Sequence, residues 1–220
     1  MRTLIAVPCM ETVQTRFMIS LMMMRQKGAG NFYFYMNSLV YDARNSITKE
    51  AIEEGYDRVL WLDSDMSFGP ELMEQLSGRI DEGRDFVSGL YFERKPPHRP
   101  TIYRSLMATE REGVAEVYRD YPESGIFEIA ASGFGAVMTT VKLLRDVTEQ
   151  FGLPFTPITG FGEDMAFCIR AREAGYRLWC DSGIRAGHIG AKIFDEDDWE
   201  EKSNGRIEAV PVLRSGGGAV

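Results

Sequence analysis

Short apolar runs alternate with segments of helical spacing through the first half of this chain, and that alternation constrains its fold more than any other feature. Residues 4–7 read as a buried strand, 13–24 as a helix and 32–36 as a strand rich in aromatics. Over 43–54 the apolar positions Ala43, Ile47, Ala51 and Ile52 keep helical spacing, and Gly55 suits the C′ position. Residues 58–62 form a short apolar strand that runs into Asp63-Ser64-Asp65. Pro70 suits the first turn of a helix reaching about Leu76, and 85–90 is a further strand. Repeated strand–helix–strand units predict a mostly parallel sheet covered by helices. Ligands on such sheets sit at the carboxyl ends of the strands, which puts Pro8, Asp63 and Asp65 along one edge.

The second half is less regular. Residues 101–107, 113–118 and 126–131 read as short strands joined by polar turns. Ser132-Gly133-Phe134-Gly135 follows, then an apolar strand at 136–140 and a helix from near Val141. After a loop at 151–162, residues 163–174 are helical, with Met165, Cys168 and Ile169 on one face. A last strand at 176–180 precedes a glycine-flanked loop carrying His188. No internal repeat or long linker breaks this order, so 1–205 reads as a single domain. Residues 206–220, which include Ser215-Gly216-Gly217-Gly218, read as a partly flexible tail.

With 220 residues, 44% of them hydrophobic and 26% charged, the chain can build one sizeable core without staples. Cys9, Cys168 and Cys180 are too few and too scattered for a disulfide framework, and no CxxC pair offers a structural zinc site. A reducing, cytoplasmic setting is expected. The opening apolar run meets Pro8 and Glu11 too soon for a signal peptide. The apolar run at 18–24 lies between Arg16 and Arg25 and is too short to span a bilayer, so no membrane segment is expected. The net charge of −8 and the lack of a basic face weigh against a nucleic-acid binder. The cluster Arg94-Lys95 with Arg99 is nevertheless basic enough to serve one diphosphate.

Four features could carry chemistry. Asp63 and Asp65 leave the sheet edge together just past a buried strand, and such oxygen ligands suit Mg²⁺ or Mn²⁺; an Asp-rich turn accounts for the same residues. His188 could add an imidazole ligand, or be a hydrogen-bonded histidine. Gly160-Phe161-Gly162-Glu163-Asp164 places two acids at a helix start, one more than capping requires, and Asp164 could take a proton from an attacking hydroxyl. Arg44, in Asp42-Ala43-Arg44-Asn45, could hold a diphosphate with its planar fork or be an exposed helix arginine. The acidic run 195–198 before Trp199 reads as a solvated charged segment or as a mobile lid.

In their order, these pieces resemble the GT-A glycosyltransferases, especially bacterial and phage enzymes close to family 2. The matching segments are Ala6-Val7-Pro8, Ala43-Arg44-Asn45, the DxD triplet Asp63-Ser64-Asp65, Gly89-Leu90-Tyr91, Ser132-Gly133-Phe134-Gly135-Ala136, the ED pair in Gly162-Glu163-Asp164, and His188. The resemblance spans about residues 3–194. It implies an α/β domain of GT-A type, Rossmann-like, with a mostly parallel central sheet, flanking helices and a small antiparallel extension. It further implies a divalent cation, Mn²⁺ or Mg²⁺, on Asp65 and His188, with Asp63 near the ribose or the metal. Asp164 would be the base of an inverting transfer and Glu163 would help hold the acceptor. Arg44, with Arg94 or Lys95, would steady the diphosphate, Pro8 would begin the nucleotide pocket, and Gly133, Phe134 and Gly135 would lie beside the donor sugar.

The expected partners are a nucleoside-diphosphate sugar and a hydroxyl-bearing acceptor: a glycan, a protein or a modified DNA base. Cys9-Met10-Glu11-Thr12 departs from the Thr-Tyr-Asn common in family 2, which leaves the base contacts open. A non-catalytic nucleotide-sugar or carbohydrate-binding protein is the alternative. A sugar-nucleotide pyrophosphorylase ranks lower, because no glycine-rich basic loop follows the first strand.

Overall fold

A computed structural model describes residues 1–26, 30–108 and 112–199, together with the backbone of 209–211. The first half runs β1 (Thr3–Cys9), α1 (Thr15–Gln26), β2 (Asn31–Met36), α2 (Val40–Glu53), β3 (Arg58–Leu62), β4 (Met66–Phe68), α3 (Leu72–Asp81) and β5 (Phe86–Leu90). The second runs β6 (Ile102–Ala108), β7 (Gly113–Val117), β8 (Ile126–Ile129), β9 (Ala131–Ser132), β10 (Ala136–Thr140), α4 (Val141–Phe151), α5 (Glu163–Glu173), β11 (Leu178–Ile189), β12 (Ile193–Phe194), a 3₁₀ turn (Glu196–Asp198) and β13 (Ala209–Pro211).

The central sheet has the order β12-β11-β5-β10-β3-β1-β2, with β4 and β8 also paired to β11. β2, β1 and β3 are parallel, as are β5 and β11. β10 lies antiparallel between β3 and β5. A second, small antiparallel sheet has the order β13-β7-β6-β9. The result is a mixed α/β fold, Rossmann-like, with helices on both faces of a mostly parallel sheet.

Alternate residues of the strands explain why both faces need cover. Leu4 and Ala6 of β1 join Val59, Trp61 and Phe86 in one apolar cluster, with residues of α2, α4 and α5. Ile5 and Val7 join Leu60, Leu62 and Val87 in the other, with Phe17 of α1 and Leu76 of α3. A strand buried on both faces has no polar side, which is why these segments read as continuous apolar runs. The helix ends follow local chemistry. Gly55, at φ +67°, closes α2, and the Thr140 side chain caps α4 by accepting a bond from the Leu143 N–H at 3.2 Å. α3 runs past the expected Leu76 because Ile80 continues its buried stripe.

One expectation changes. The last strand does not stop at Cys180: β11 continues to Ile189, so His188 stands on a strand and not in a loop. The register shifts between Asp181 and Arg185, and beyond that shift β11 leaves β8 and pairs with β4 and β12. Gly187 is needed there for space, since a Cβ on it would come within 2.3 Å of Ile193 Cγ2. β8 joins the edge of the central sheet by pairing with β11. The acidic run keeps Asp195 and Asp197 exposed, as a charged surface segment would, but is anchored at Glu196 and Trp199. Trp199 is 4% exposed and stacks on Tyr121, and Glu196 meets both the Tyr121 hydroxyl and Arg185. Of the expected tail, only 209–211 lies within the described residues, as a strand on β7. No helix among the described residues is long and apolar enough to cross a membrane.

Candidate active site

The parallel strands deliver Pro8, Asp63 and Tyr91 to one edge of the sheet, at the ends of β1, β3 and β5. The segment leading into β10 meets them from the opposite direction, and the Asp63 N–H donates to the Gly135 carbonyl at 3.3 Å. The turn after β3 is closed by Met66 N–H donating to the Asp63 carbonyl at 3.2 Å. β4 then pairs with β11 so that Met66 lies opposite His188, and the Ile189 N–H donates to the Asp65 carbonyl at 2.7 Å. Backbone pairing alone therefore brings Asp65 and His188 together.

Their side chains face one another. His188 Nε2 lies 3.4 Å from Asp65 Oδ2, and Nδ1 lies 2.9 Å from the Phe92 carbonyl. A carbonyl only accepts, so Nδ1 donates to Phe92 and the ring is oriented with Nε2 towards the carboxylate oxygen. A histidine held through its other nitrogen by a backbone carbonyl, beside a carboxylate, has the donor chemistry of a metal ligand. Arg94 Nη1 sits 3.0 Å from the same Oδ2. Burial pushes the Asp65 carboxyl up, but His188 and Arg94 outweigh it and hold its pKa below the usual value. Asp63 does not complete a cage with this pair. Among the described residues no three His, Cys, Asp or Glu side chains converge on one point.

Asp63 belongs instead to a second group. The Arg44 guanidinium, 3% exposed, donates through Nη2 to Asp63 Oδ1 at 2.8 Å and through Nη1 to Glu163 Oε1 at 2.7 Å. Its carbon lies 5.1 Å from the centre of the Phe134 ring, and its Nε has no partner. Arg44 thus ties the end of β3 to the start of α5, with its planar fork committed to two carboxylates. Asp164 stands next to this bridge in the first turn of α5, half-buried. Burial and then the neighbouring Glu163 push its pKa up to about 6, against the pull of Arg44. That value suits a group that must accept a proton near neutral pH.

The small-residue segment explains itself through Tyr91. The Gly135 N–H donates to Tyr91 Oη at 3.0 Å, and the Tyr91 ring meets His188 edge-on with centroids 5.8 Å apart. A Cβ on Gly133 would fall 2.1 Å from Tyr91 Oη, and one on Gly135 would fall 2.9 Å from Met66 Sδ and from the tyrosine ring. Gly133→Ala is expected to dislodge Tyr91 and destabilise the chain by about 1–3 kcal/mol, read as a lower Tm. An unchanged Tm would show that the ring moves aside freely.

Phe134, expected beside a bound sugar, is a core ring. It is 1% exposed and packs edge-on against Trp61, Phe86, Phe155 and Phe167. Pro8 is buried in β1, opposite Tyr35 of β2. The residues that sequence reasoning missed are Phe92, whose carbonyl orients His188, and Met66–Phe68, whose pairing carries Asp65 to it. A backbone carbonyl and a three-residue strand leave no mark in a sequence. A cavity of about 290 Å³ along this stretch of β11 is lined by residues including Ser67, Phe92, Arg185 and Glu196, and Asp65 and His188 are not among its lining residues. Cys168 and Cys180 are buried and form no disulfide; burial pushes the Cys168 thiol up to about 12 and raises that of Cys180, so neither is a nucleophile at neutral pH.

No family model matches the sequence, and no curated protein matches it. Among solved structures the chain is similar to A197 from STIV, with a TM-score of 0.67 at 19% identity over 100% of this chain and 97% of that one. At that identity the likeness establishes the fold. A fainter likeness, TM-score 0.49 at 11% identity over 87% of this chain and 94% of the other, is to CMP:2-keto-3-deoxy-manno-octonic acid synthetase complexed with CTP.

Proposed function

We propose that this chain is a metal-dependent glycosyltransferase of GT-A type that moves a sugar from a nucleoside diphosphate to a hydroxyl acceptor. The observation that carries this reading is the Asp65–His188 pair. An imidazole nitrogen and a carboxylate oxygen face each other at 3.4 Å, with the second histidine nitrogen fixed on Phe92, at the edge of the sheet where such folds bind ligands. Two protein ligands leave most positions of a Mg²⁺ or Mn²⁺ ion for water and phosphate oxygens, which is how these ions engage nucleotides. Such an ion, when bound, supplies positive charge where the departing diphosphate develops its negative charge.

The chain's own residues account for the rest of the reaction. Asp164, with a pKa of about 6, accepts the proton of the acceptor hydroxyl. The hydroxyl oxygen forms a bond to the anomeric carbon as the bond from that carbon to the phosphate oxygen breaks, and the nucleoside diphosphate leaves with that electron pair. Attack from the face opposite the leaving group inverts the anomeric centre. Arg44 holds Glu163 and Asp63 on either side of this base and keeps the strand end and helix start in one geometry. The raised pKa of Asp164, at the start of a helix tied to the strand end by Arg44, supports turnover over binding alone.

A thermal-shift screen of UDP, GDP, CDP, dTDP and their sugars, with and without Mn²⁺, tests the reading. Ligand that binds only the folded state must raise Tm. One nucleotide is expected to give a shift that requires Mn²⁺, and His188→Ala is expected to lose the metal requirement together with most of the shift. Folded wild-type protein that responds to none of these ligands would overturn the assignment.

A further inference from the structure

In the absence of a cation, Asp65 already has one. Arg94 Nη1 lies 3.0 Å from Asp65 Oδ2, the same oxygen that faces His188 Nε2. The backbone that carries Arg94 is fixed on both sides. Glu93 N–H donates to the Arg99 carbonyl at 2.9 Å, and the turn closes with His98 N–H on the Lys95 carbonyl at 2.8 Å. The His98 ring, 6% exposed, stacks on Phe194 of β12 with centroids 4.5 Å apart. The hairpin is thus docked on the strand beside His188, and the Arg94 stem passes over Gly190, where a Cβ would lie 3.3 Å from Arg94 Cδ. The head group is more open: 48% of the Arg94 side chain is exposed, and besides Asp65 its Nη1 meets only the Ile189 carbonyl, at a long 3.5 Å, among the contacts of the described residues.

We infer that Arg94 and a divalent cation exchange at Asp65, so that the chain binds metal weakly alone and strongly together with a diphosphate. The inference rests on the proposed function and deepens it. A divalent ion on Asp65 would lie within a few ångströms of the Arg94 guanidinium, and in a partly desolvated site the repulsion between the two like charges disfavours holding both. Metal bound alone therefore weakens or displaces the Arg94 ion pair. Metal bound with a diphosphate displaces it towards new anionic oxygens, within reach of a side chain anchored at Gly190, and Arg94 regains a partner. The two ligands are coupled through one side chain, and by linkage each raises the affinity for the other to the same extent. Before loading, Arg94 also keeps the Asp65 charge neutralised.

Mn²⁺ binding to the whole chain, followed by the electron paramagnetic resonance of the free ion, reads this directly and needs no turnover. Wild type, Arg94→Ala, Arg94→Lys and, as a site control, Asp65→Asn are compared, with Tm in metal-free buffer showing that each is folded. Arg94→Ala is expected to bind Mn²⁺ alone about 10-fold more tightly than wild type. Arg94→Lys, which keeps a cation in reach, stays near wild type, and Asp65→Asn binds none. In a second arm, inorganic pyrophosphate with Mn²⁺ is expected to raise the Tm of wild type more than that of Arg94→Ala. Equal or weaker Mn²⁺ binding by Arg94→Ala, with binding still lost in Asp65→Asn, overturns the exchange while leaving the metal site standing. Absence of Mn²⁺ binding in wild type and Arg94→Ala alike overturns the metal site and the exchange together.

Discussion

If Asp164 is the base of the proposed transfer, replacing it by asparagine should lower kcat/KM by about a thousandfold and leave the fold standing. The amide keeps the shape of the side chain but cannot take the proton of the attacking hydroxyl. Wild-type kcat/KM should also fall as pH drops below about 6, by tenfold per unit, because only the ionised carboxylate acts as a base. That acidic limb should be missing from the residual activity of the variant. Stability should move the other way. Asp164 has a folded-state pKa of about 6, above that of an unfolded chain, so ionising it works against the folded state. The destabilisation is absent below the unfolded pKa, grows as pH rises between the two values and is complete above about 6. Asp164→Asn is therefore expected to raise Tm by about 2–5 °C at pH 8 and by less at pH 5. A variant with near-normal kcat/KM and an intact acidic limb would remove Asp164 from the role of base.

Arg44→Met should lower Tm by roughly 10 °C. Arg44 is 3% exposed and is the shared partner of Asp63 and Glu163, so removing it leaves two carboxylates facing each other across a part-buried gap. Breaking such a pair from one side costs about 3 kcal/mol, and a domain of this size loses about 2–4 °C for each kcal/mol. The space itself is filled by methionine, which covers Phe134 almost as well as the arginine stem does, so the loss reports charge more than packing. Arg44→Lys should recover part of the loss, since one ammonium cannot span both acids as the planar fork does. The variant also removes the positive charge that restrains Asp164, so any surviving activity should have its acidic limb shifted to higher pH. Thermal unfolding and a pH–rate profile check both halves. A Tm within 2 °C of wild type, a cutoff of about 0.5–1 kcal/mol, would show that the bridge carries no stability.

Much of the layout follows from local chemistry alone. Apolar runs too uniform for a one-sided strand require a sheet covered on both faces, and β3 and β10 begin and end where that pattern puts them. Asp63 and Asp65 at the end of β3, and Glu163 and Asp164 at the start of α5, stand out because charge rarely follows so directly on buried or glycine-marked segments. The chain's order of strands, helices and acids is therefore local information. The pairing of those acids is not. His188 sits among glycines that signal a loop, yet β4 and β12 recruit that stretch as the outer half of β11, because the glycines allow close approach of Ile193 and Phe194. Arg44, read as a diphosphate clamp or an exposed helix residue, is buried because the face of α2 carrying Ala43, Arg44 and Ile47 packs inward beside Phe134, where Asp63 and Glu163 pair with it. Sequence by itself determined which chemical groups lie at the ends of the elements, since that depends on residue type and spacing. Only the tertiary structure decided which of them meet, because a contact across 119 residues, such as Arg44 with Glu163, is set by sheet order and packing and has no local cause.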